Sequence, residues 1–251
     1  MNSQIQSNVL NLSKNHYIVG PRYGNLDIGD KGLGRLIEPD ELLGVLNKQK
    51  GKIIVTSGPT YEEIDDVKVV TNKSSGKQGR ALAIELSARG YDIVYIHSAS
   101  IDRIPGLNNV SFHSSNDLKN QIIENINHTN AIFMTAAVSD FTVKKSSGKI
   151  SRSNGNITLE FIPNEDIIAT IKTSYPQIKC IAFSAQVDDE LNFNKISTKN
   201  VDYLVINNIL KNKFGSDTNK VSIIDQQHLI FESEELDKNE ISKDILNALE
   251  Y

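Results

Sequence analysis

Gly51–Ile64 reads GKIIVTSGPTYEEI, and Asp66–Gly79 reads DVKVVTNKSSGKQG. The apolar run Ile53-Ile54-Val55 ends in a small polar turn, Thr56-Ser57-Gly58-Pro59-Thr60. The second segment ends in Ser74-Ser75-Gly76-Lys77-Gln78-Gly79 and opens straight into Ala81-Leu82-Ala83-Ile84-Glu85-Leu86. A buried strand and a Gly/Ser turn at a helix start are the parts with which an open α/β sheet holds phosphate. Free N–H groups and the positive helix end then face the anion.

Strand and helix patterns alternate outward from this pair. Ile53–Thr56 reads as a strand, and Gly79–Arg89 as a helix ended by Gly90. Asp92–His97 and Val110–His113 read as strands, with a helix capped by Asn116 running through His128. Ala131–Met134 is a buried strand that ends in Thr135-Ala136-Ala137. Ile157–Ile162 alternates as a half-exposed strand, and Asn164 can cap a helix over Glu165–Tyr175. Lys179–Ser184 and Tyr203–Asn207 are strands on either side of a helix at Leu191–Lys199. Val221–Ile224 and His228–Glu232 suggest a hairpin, and Glu240–Leu249 a last amphipathic helix. The pattern predicts an α/β fold: a Rossmann-like, doubly wound, mostly parallel sheet with a Lys/Ser-rich flap at 144–156 and a C-terminal hairpin. Residues 1–47 carry short apolar pieces among glycines such as Gly20, Gly24, Gly29, Gly32 and Gly34 and form a segment apart from a main domain at 48–251.

Bulk properties narrow the function. A net charge of −4 gives no electrostatic footprint for nucleic acid. No run of about eighteen apolar residues exists, so no membrane span is expected. The N-terminus, MNSQIQSN, lacks the order of a secretory signal. The single Cys180 sits in an apolar run, which excludes an internal disulfide and a thiolate metal cage. The expectation is a cytoplasmic protein.

Several residues can carry chemistry. Ser74, Ser75, Gly76 and Lys77 form either a phosphate cradle or an ordinary helix-start turn. The turn is neither a Walker A loop nor a G-x-G-x-x-G. Asn72 can give and take a hydrogen bond with a substrate carbonyl, or face solvent. Asp140 follows a buried strand at the edge where ligands of open sheets sit, and can serve ribose hydroxyls, a metal or a loop. Lys144, Lys145, Lys149 and Arg152 form a solvated face or a flap that delivers one cation. Lys195 and Lys199 lie i,i+4 on one helix and can reach one anion. The five histidines are scattered, and none is assigned to a metal.

In this order the pieces resemble phosphopantothenoylcysteine synthetase, the synthetase half of the bacterial bifunctional decarboxylase/synthetase. The resemblance rests on TSGPTYEEID, TNKSSGKQG, AAVSDF at Ala136–Phe141, GKISR at Gly148–Arg152 and PNEDI at Pro163–Ile167. It continues in AFSAQ at Ala182–Gln186, KISTKNVD at Lys195–Asp202, VINN at Val205–Asn208 and FGSDTN at Phe214–Asn219. Residues 17–39 are similar to the C-terminal tail of the decarboxylase that precedes the synthetase, with Ile28 where that family has its catalytic cysteine.

The resemblance implies a ligase of coenzyme A biosynthesis. It would join 4′-phosphopantothenate to L-cysteine through an acyl-cytidylate made from CTP with Mg²⁺, without flavin and without decarboxylase activity. Lys149 is similar to the lysine that forms the acyl nucleotide, and Asn72, Lys68 and Ala137 to residues of the cysteine step. Asp140, Asn164, Glu165, Asp166, Ile167, Phe183, Lys195 and Lys199 match the nucleotide-binding set, with phosphate on Ser74, Ser75 and Gly76. Lys68 stands for an arginine, Pro59 for a glycine and Gln186 for a glutamate. A homodimer is implied, with a separate decarboxylase as a conceivable partner. Two alternatives remain. One is a non-catalytic, nucleotide-binding scaffold or regulator; the other is a nicotinamide-dependent reductase, against which the missing G-x-G-x-x-G argues.

Overall fold

The computed structural model describes residues 3–16, 18–26, 29–152, 155–187, 191–208, 210 and 215–251. The chain opens with α1 (Ser3–Leu12), the hairpin β1 (Arg22–Asn25) and β2 (Lys31–Arg35), and α2 (Pro39–Leu46). Next come β3 (Lys52–Ser57), the small pair β4 (Tyr61–Glu63) and β5 (Val69–Thr71), and α3 (Lys77–Ala88). β6 (Asp92–Ser98), β7 (Asn108–Phe112), α4 (Ser115–Asn125) and β8 (Thr129–Met134) follow. The flap strands are β9 (Phe141–Val143) and β10 (Phe161–Pro163), and then come α5 (Ile167–Ser174), β11 (Lys179–Gln186), α6 (Asn194–Lys199) and β12 (Tyr203–Asn208). The last part holds β13 (Thr218–Asn219), β14 (Ser222–Ile224), β15 (Leu229–Glu232), β16 (Leu236–Asp237) and α7 (Lys238–Ala248).

The central sheet has eight strands in the order β15-β14-β12-β11-β8-β3-β6-β7. From β12 to β7 every pairing is parallel, while β14 and β15 add an antiparallel edge. Along the chain the parallel strands run outward from β3 to β7, then jump back to β8 and run the other way. The order therefore reverses between β3 and β8. That gap at the carboxyl edge is where doubly wound sheets open a ligand crevice.

Both faces are covered, which is why β3 reads as a continuous apolar run. Ile53 and Val55 face α3 and α7, packing with Phe133, Leu82, Leu86 and Ile245. Ile54 faces the other way, packing with Ile132, Leu118, Ile122 and Ile171 of β8, α4 and α5. Each such buried side chain contributes roughly 1.5–3 kcal/mol of transfer free energy.

The first segment joins this body by different means. Between residues 3 and 46 only Arg22 and Val45 are buried among the described residues. Arg22 bonds Glu41 at 3.0 Å and also Glu85 of α3, which in turn holds Arg89 at 3.0 Å. A Cβ on Gly44 would run into the Ala88 carbonyl, so glycine there lets α2 lie directly on the end of α3. Ile28 lies outside the described residues.

The fold class and the C-terminal hairpin match the sequence reading, and some local expectations change. Ser114, not Asn116, caps α4, its Oγ accepting from the Asp117 N–H at 3.1 Å. Asp166, not Asn164, caps α5. The expected strand at 157–162 is shorter and later, at Phe161–Pro163, where it meets Phe141–Val143. The helix expected over Leu191–Lys199 begins at Asn194.

Candidate functional site

A cleft of about 900 Å³ opens at the reversal between β3 and β8. Its floor is cross-linked main chain. Pro59 bridges Ala137, Thr60 N–H donates to Ala137 O at 3.2 Å, and Ala137 N–H donates to Gly58 O at 2.9 Å. Thr56 Oγ1 accepts from Ala136 N–H at 3.1 Å, and Thr60 Oγ1 from Ser139 N–H at 3.0 Å. Gly58 sits at φ +88°, and a Cβ there would stand 2.7 Å from Ser98 Cβ, so this turn requires glycine. Asn72 is fixed on the same floor by Nδ2 donating to Ala137 O at 2.9 Å. One of its two N–H donors is thereby occupied, and the amide oxygen and the second N–H are what it can offer to a ligand.

One wall is the start of α3. Its N-cap is Gly76 in the left-handed region at φ 69°, and no side chain caps the helix. The first-turn N–H groups have no intrahelical partner and, with the helix dipole, favour an anion. Ser57 Oγ pins the turn through Gly76 O at 2.8 Å. A Cβ on Gly79 would come 2.7 Å from Ser57 Oγ and closer still to Thr135, so glycine lets α3 seat against the ends of β3 and β8. Lys77 pairs with Asp217 at 2.7 Å. Lys238 also lines the cleft; burial, and then the nearby Lys77, hold its ammonium below the usual lysine range.

The opposite wall carries Asn164, Glu165, Asp166 and Ile167 at the start of α5, Phe183 on β11, and Lys195, Thr198 and Lys199 on α6. Asn164 Nδ2 donates to Ser139 O at 2.8 Å, which ties the two loops. Lys199 pairs with Asp166 at 2.7 Å. The Lys119 ammonium, bound at 2.6 Å, holds the Glu165 carboxyl below its ordinary value. Asp140 is an exposed carboxylate in the cleft with no ion pair among the described residues. Phe183 is the one aromatic side chain, and neither a histidine nor a thiol is present, among the described lining residues. No group of three or more metal-ligating side chains occurs among the described residues.

The cleft therefore gathers Asn72, Ala137, Asp140, Asn164, Glu165, Asp166, Ile167, Phe183, Lys195, Lys199, Ser74, Ser75 and Gly76. It leaves out Lys149 and Lys68. Lys149 is exposed on the flap. Lys68 donates to Asp65 at 2.5 Å and to Ile150 O at 3.2 Å. Asp65 also accepts from Ile150 N–H at 2.9 Å, and Asp66 accepts from Gly148 N–H at 2.9 Å. Lys68, with the hydrogen bonds of Val67 and Ile150, holds the Asp65 carboxyl far below the usual carboxylate range. The flap segment around Lys149 is thus gripped on both sides. Sequence reasoning passed over Ser139, Thr198, Asn219 and Lys238, which also line the cleft.

Residues 48–251 match the family model described as DNA/pantothenate metabolism flavoprotein C-terminal domain. A relative described as cysteine/cysteine sulfinic acid decarboxylase, from an unknown prokaryotic organism, is 31% identical over 96% of this chain and 72% of its own length. The coenzyme A biosynthesis bifunctional protein CoaBC of Bacillus subtilis is 30% identical over 98% of this chain, which spans 65% of that relative. The crystal structure of the C-terminal domain of CoaBC superposes with a TM-score of 0.68 at 25% identity, covering 80% of this chain and 95% of that one.

These findings correct the expectations drawn from the resemblance. The assignment to a synthetase, a ligase using CTP with Mg²⁺ on 4′-phosphopantothenate and L-cysteine, gives way to a family described as a pantothenate-metabolism flavoprotein domain. The exclusion of flavin does not stand beside that description. The exclusion of decarboxylase activity does not stand beside a decarboxylase as a 31% identical relative. Geometry removes a support as well, because within the single chain the ammonium of Lys149 lies outside the cleft. The scaffold alternative gains nothing from relatives that are described as enzymes of metabolism. With the model matched across all but its first segment, the chain belongs to the family of the DNA/pantothenate metabolism flavoprotein C-terminal domain.

Proposed function

We infer that the cleft binds a phosphorylated pantothenoyl–cysteine conjugate, and that the chain acts on this ligand class in coenzyme A biosynthesis in the cytoplasm. The uncapped start of α3, opening at the strand-order reversal, carries this reading. A phosphate there meets the N–H groups of the first turn, the Ser74 and Ser75 hydroxyls and the Lys77 and Lys238 ammoniums. The amide arm of the conjugate runs over the floor, where Asn72 Oδ1 can accept its N–H. The cysteine carboxylate falls toward Lys195 and Lys199 on the far wall.

The choice of ligand joins pantothenate metabolism, which describes the family, to cysteine decarboxylation, which describes a relative. The reaction carried over from that relative is loss of the cysteine carboxyl group. For it the cleft offers Asp140 and lysine ammoniums as its proton-moving groups. The Ser74–Lys77 turn can hold the phosphate of the conjugate or that of a flavin mononucleotide, one at a time, and a flavin bound elsewhere along the cleft would supply a two-electron acceptor.

Titration of the full chain with 4′-phosphopantothenoylcysteine, its dephosphorylated form and flavin mononucleotide tests the reading, with evolved CO₂ measured in parallel. Binding of the phosphorylated conjugate is expected, weakened about tenfold or more without the phosphate, the scale of one or two charge-assisted hydrogen bonds. Equal binding of the two forms overturns the phosphate assignment. CO₂ release with bound flavin assigns the decarboxylation to this chain, whereas binding without CO₂ leaves the cleft as a binding site.

A further inference from the structure

A second pocket, of about 570 Å³, lies behind the phosphate turn, between the first segment of the chain and α3. Its lining is mostly apolar, with Leu10, Ile18 and Val19 from the first segment against Ile84 and Ile104 of the main body. Ser75, Gly76 and Lys77 border both this pocket and the cleft. Tyr95 lines it too, fully buried, and Tyr95 Oη is the one buried side-chain polar atom among the described residues that makes no hydrogen bond. The neighbouring Ser57 hydroxyl spends its proton on Gly76 O at 2.8 Å, so toward the Tyr95 phenol it can act only as an acceptor. A buried hydroxyl without a partner is destabilising, and a ligand that satisfies it recovers that cost.

The charges around the pocket do not balance. Arg22 is answered by Glu41 and Glu85, and Lys77 by Asp217. Among the described residues Arg80 donates only to the carbonyls of Asp102 and Arg103, at 3.1 and 3.2 Å, and Arg103 bonds Ser13 Oγ at 3.4 Å. Neither has a carboxylate partner among the described residues, and Asp102 is the one carboxylate on the lining. Two guanidiniums against one carboxylate leave an excess positive charge beside an apolar chamber. We propose that this pocket is a binding site for a small monoanionic acid with an apolar body, its anionic head between Arg80 and the Tyr95 hydroxyl. Burial keeps the Tyr95 phenol protonated, so it donates. The size is within the range of ordinary small-molecule sites.

The test uses octanoate and octan-1-ol as probes, titrated calorimetrically into the full chain, with thermal melts to confirm that each variant folds. Octanoate is expected to bind one per chain and octan-1-ol more weakly. Arg80→Gln should weaken octanoate about tenfold and Tyr95→Phe about threefold, the scales of a charged and a neutral hydrogen bond. No saturable octanoate binding, octan-1-ol bound as tightly as octanoate, or unchanged affinity in both variants would each overturn the proposal. Should Arg80→Gln fail to fold, Tyr95→Phe decides alone, since it removes a single oxygen and touches none of the ion pairs around the pocket.

Discussion

The floor of the cleft and the flap beside it border the same space but are held by different forces. The floor is the continuation of β3 and β8, whose Ile53, Ile54, Val55, Ile132 and Phe133 have no exposed surface. Its loops are fastened by main-chain bonds such as Ala137 N–H to Gly58 O. The flap rests on two three-residue strands with exposed Phe141 and Phe161 in edge contact, and on the carboxylates of Asp65 and Asp66. Apolar burial is insensitive to pH and to salt at moderate concentration, whereas ionic tethers answer to both. The molecule thus pairs a floor of fixed geometry with a boundary whose hold depends on charge.

The largest test removes the floor's support. Phe133→Ala should cost about 3–5 kcal/mol, the range for deleting a buried aromatic side chain. The measurement is the midpoint of denaturant unfolding for the whole chain. A loss confined to the flap, with the global midpoint unmoved, would break the comparison. Gly79→Val is next, at about 1–3 kcal/mol for overpacking where α3 meets Ser57 and Thr135. Because that wall also forms the phosphate turn, affinity for the phosphorylated conjugate should fall together with stability. Unchanged affinity in a destabilised protein would detach the turn from the site.

Asp65 tests the other side. Its carboxyl titrates in the folded chain below its unfolded value, chiefly through Lys68. The stabilisation is therefore full above the ordinary carboxylate range and is lost as pH falls through the lower, folded value. Protection of the Ile150 amide against hydrogen exchange should persist to pH values at which ordinary carboxyls are protonated, about 4, and then disappear. In Asp65→Asn the amide should exchange faster at neutral pH and show no acid step, with the global unfolding midpoint little changed. An acid step that survives in this variant would assign the tether to another group.

The floor was legible in the sequence because it is made locally. An unbroken apolar run followed by Gly-Pro-Thr, or by Thr-Ala-Ala, says where a strand buried on both faces stops and a ligand edge begins. The Gly/Ser turn before an alanine-rich helix was readable for the same reason. The caps were harder, since Ser114 and Asn116, or Asn164 and Asp166, are all good capping residues two positions apart, and tertiary packing chose between them. The flap tether was not readable. Asp65 meets Ile150 across 85 residues, and a carboxylate in a polar run carries no sign of what it will bind. Lys238 escaped notice likewise, because the first residue of an amphipathic C-terminal helix gives no hint that it turns into a distant cleft. Nothing in the sequence marks Arg80 and Arg103 as neighbours of α1, which the fold alone brings to the same pocket.

The smallest expected effect sharpens the comparison from within the flap. Lys145 reaches Glu63 at 2.8 Å and Asp66 at 3.1 Å, and all three side chains are about half exposed. These partners raise the Lys145 ammonium above its usual value, so both pairs are intact at neutral pH. Exposed pairs gain little in water and lose side-chain entropy on forming, so Lys145→Ala should leave the thermal midpoint within error of the parent. Asp66 nevertheless keeps its bond to the Gly148 N–H, a contact the variant does not touch. Exchange at Gly148 should therefore quicken slightly at low salt, and parent and variant should converge as salt screens the pair. A large, salt-independent loss of protection would mean that Lys145 works through its alkyl stem, and the flap would then share the apolar physics of the floor.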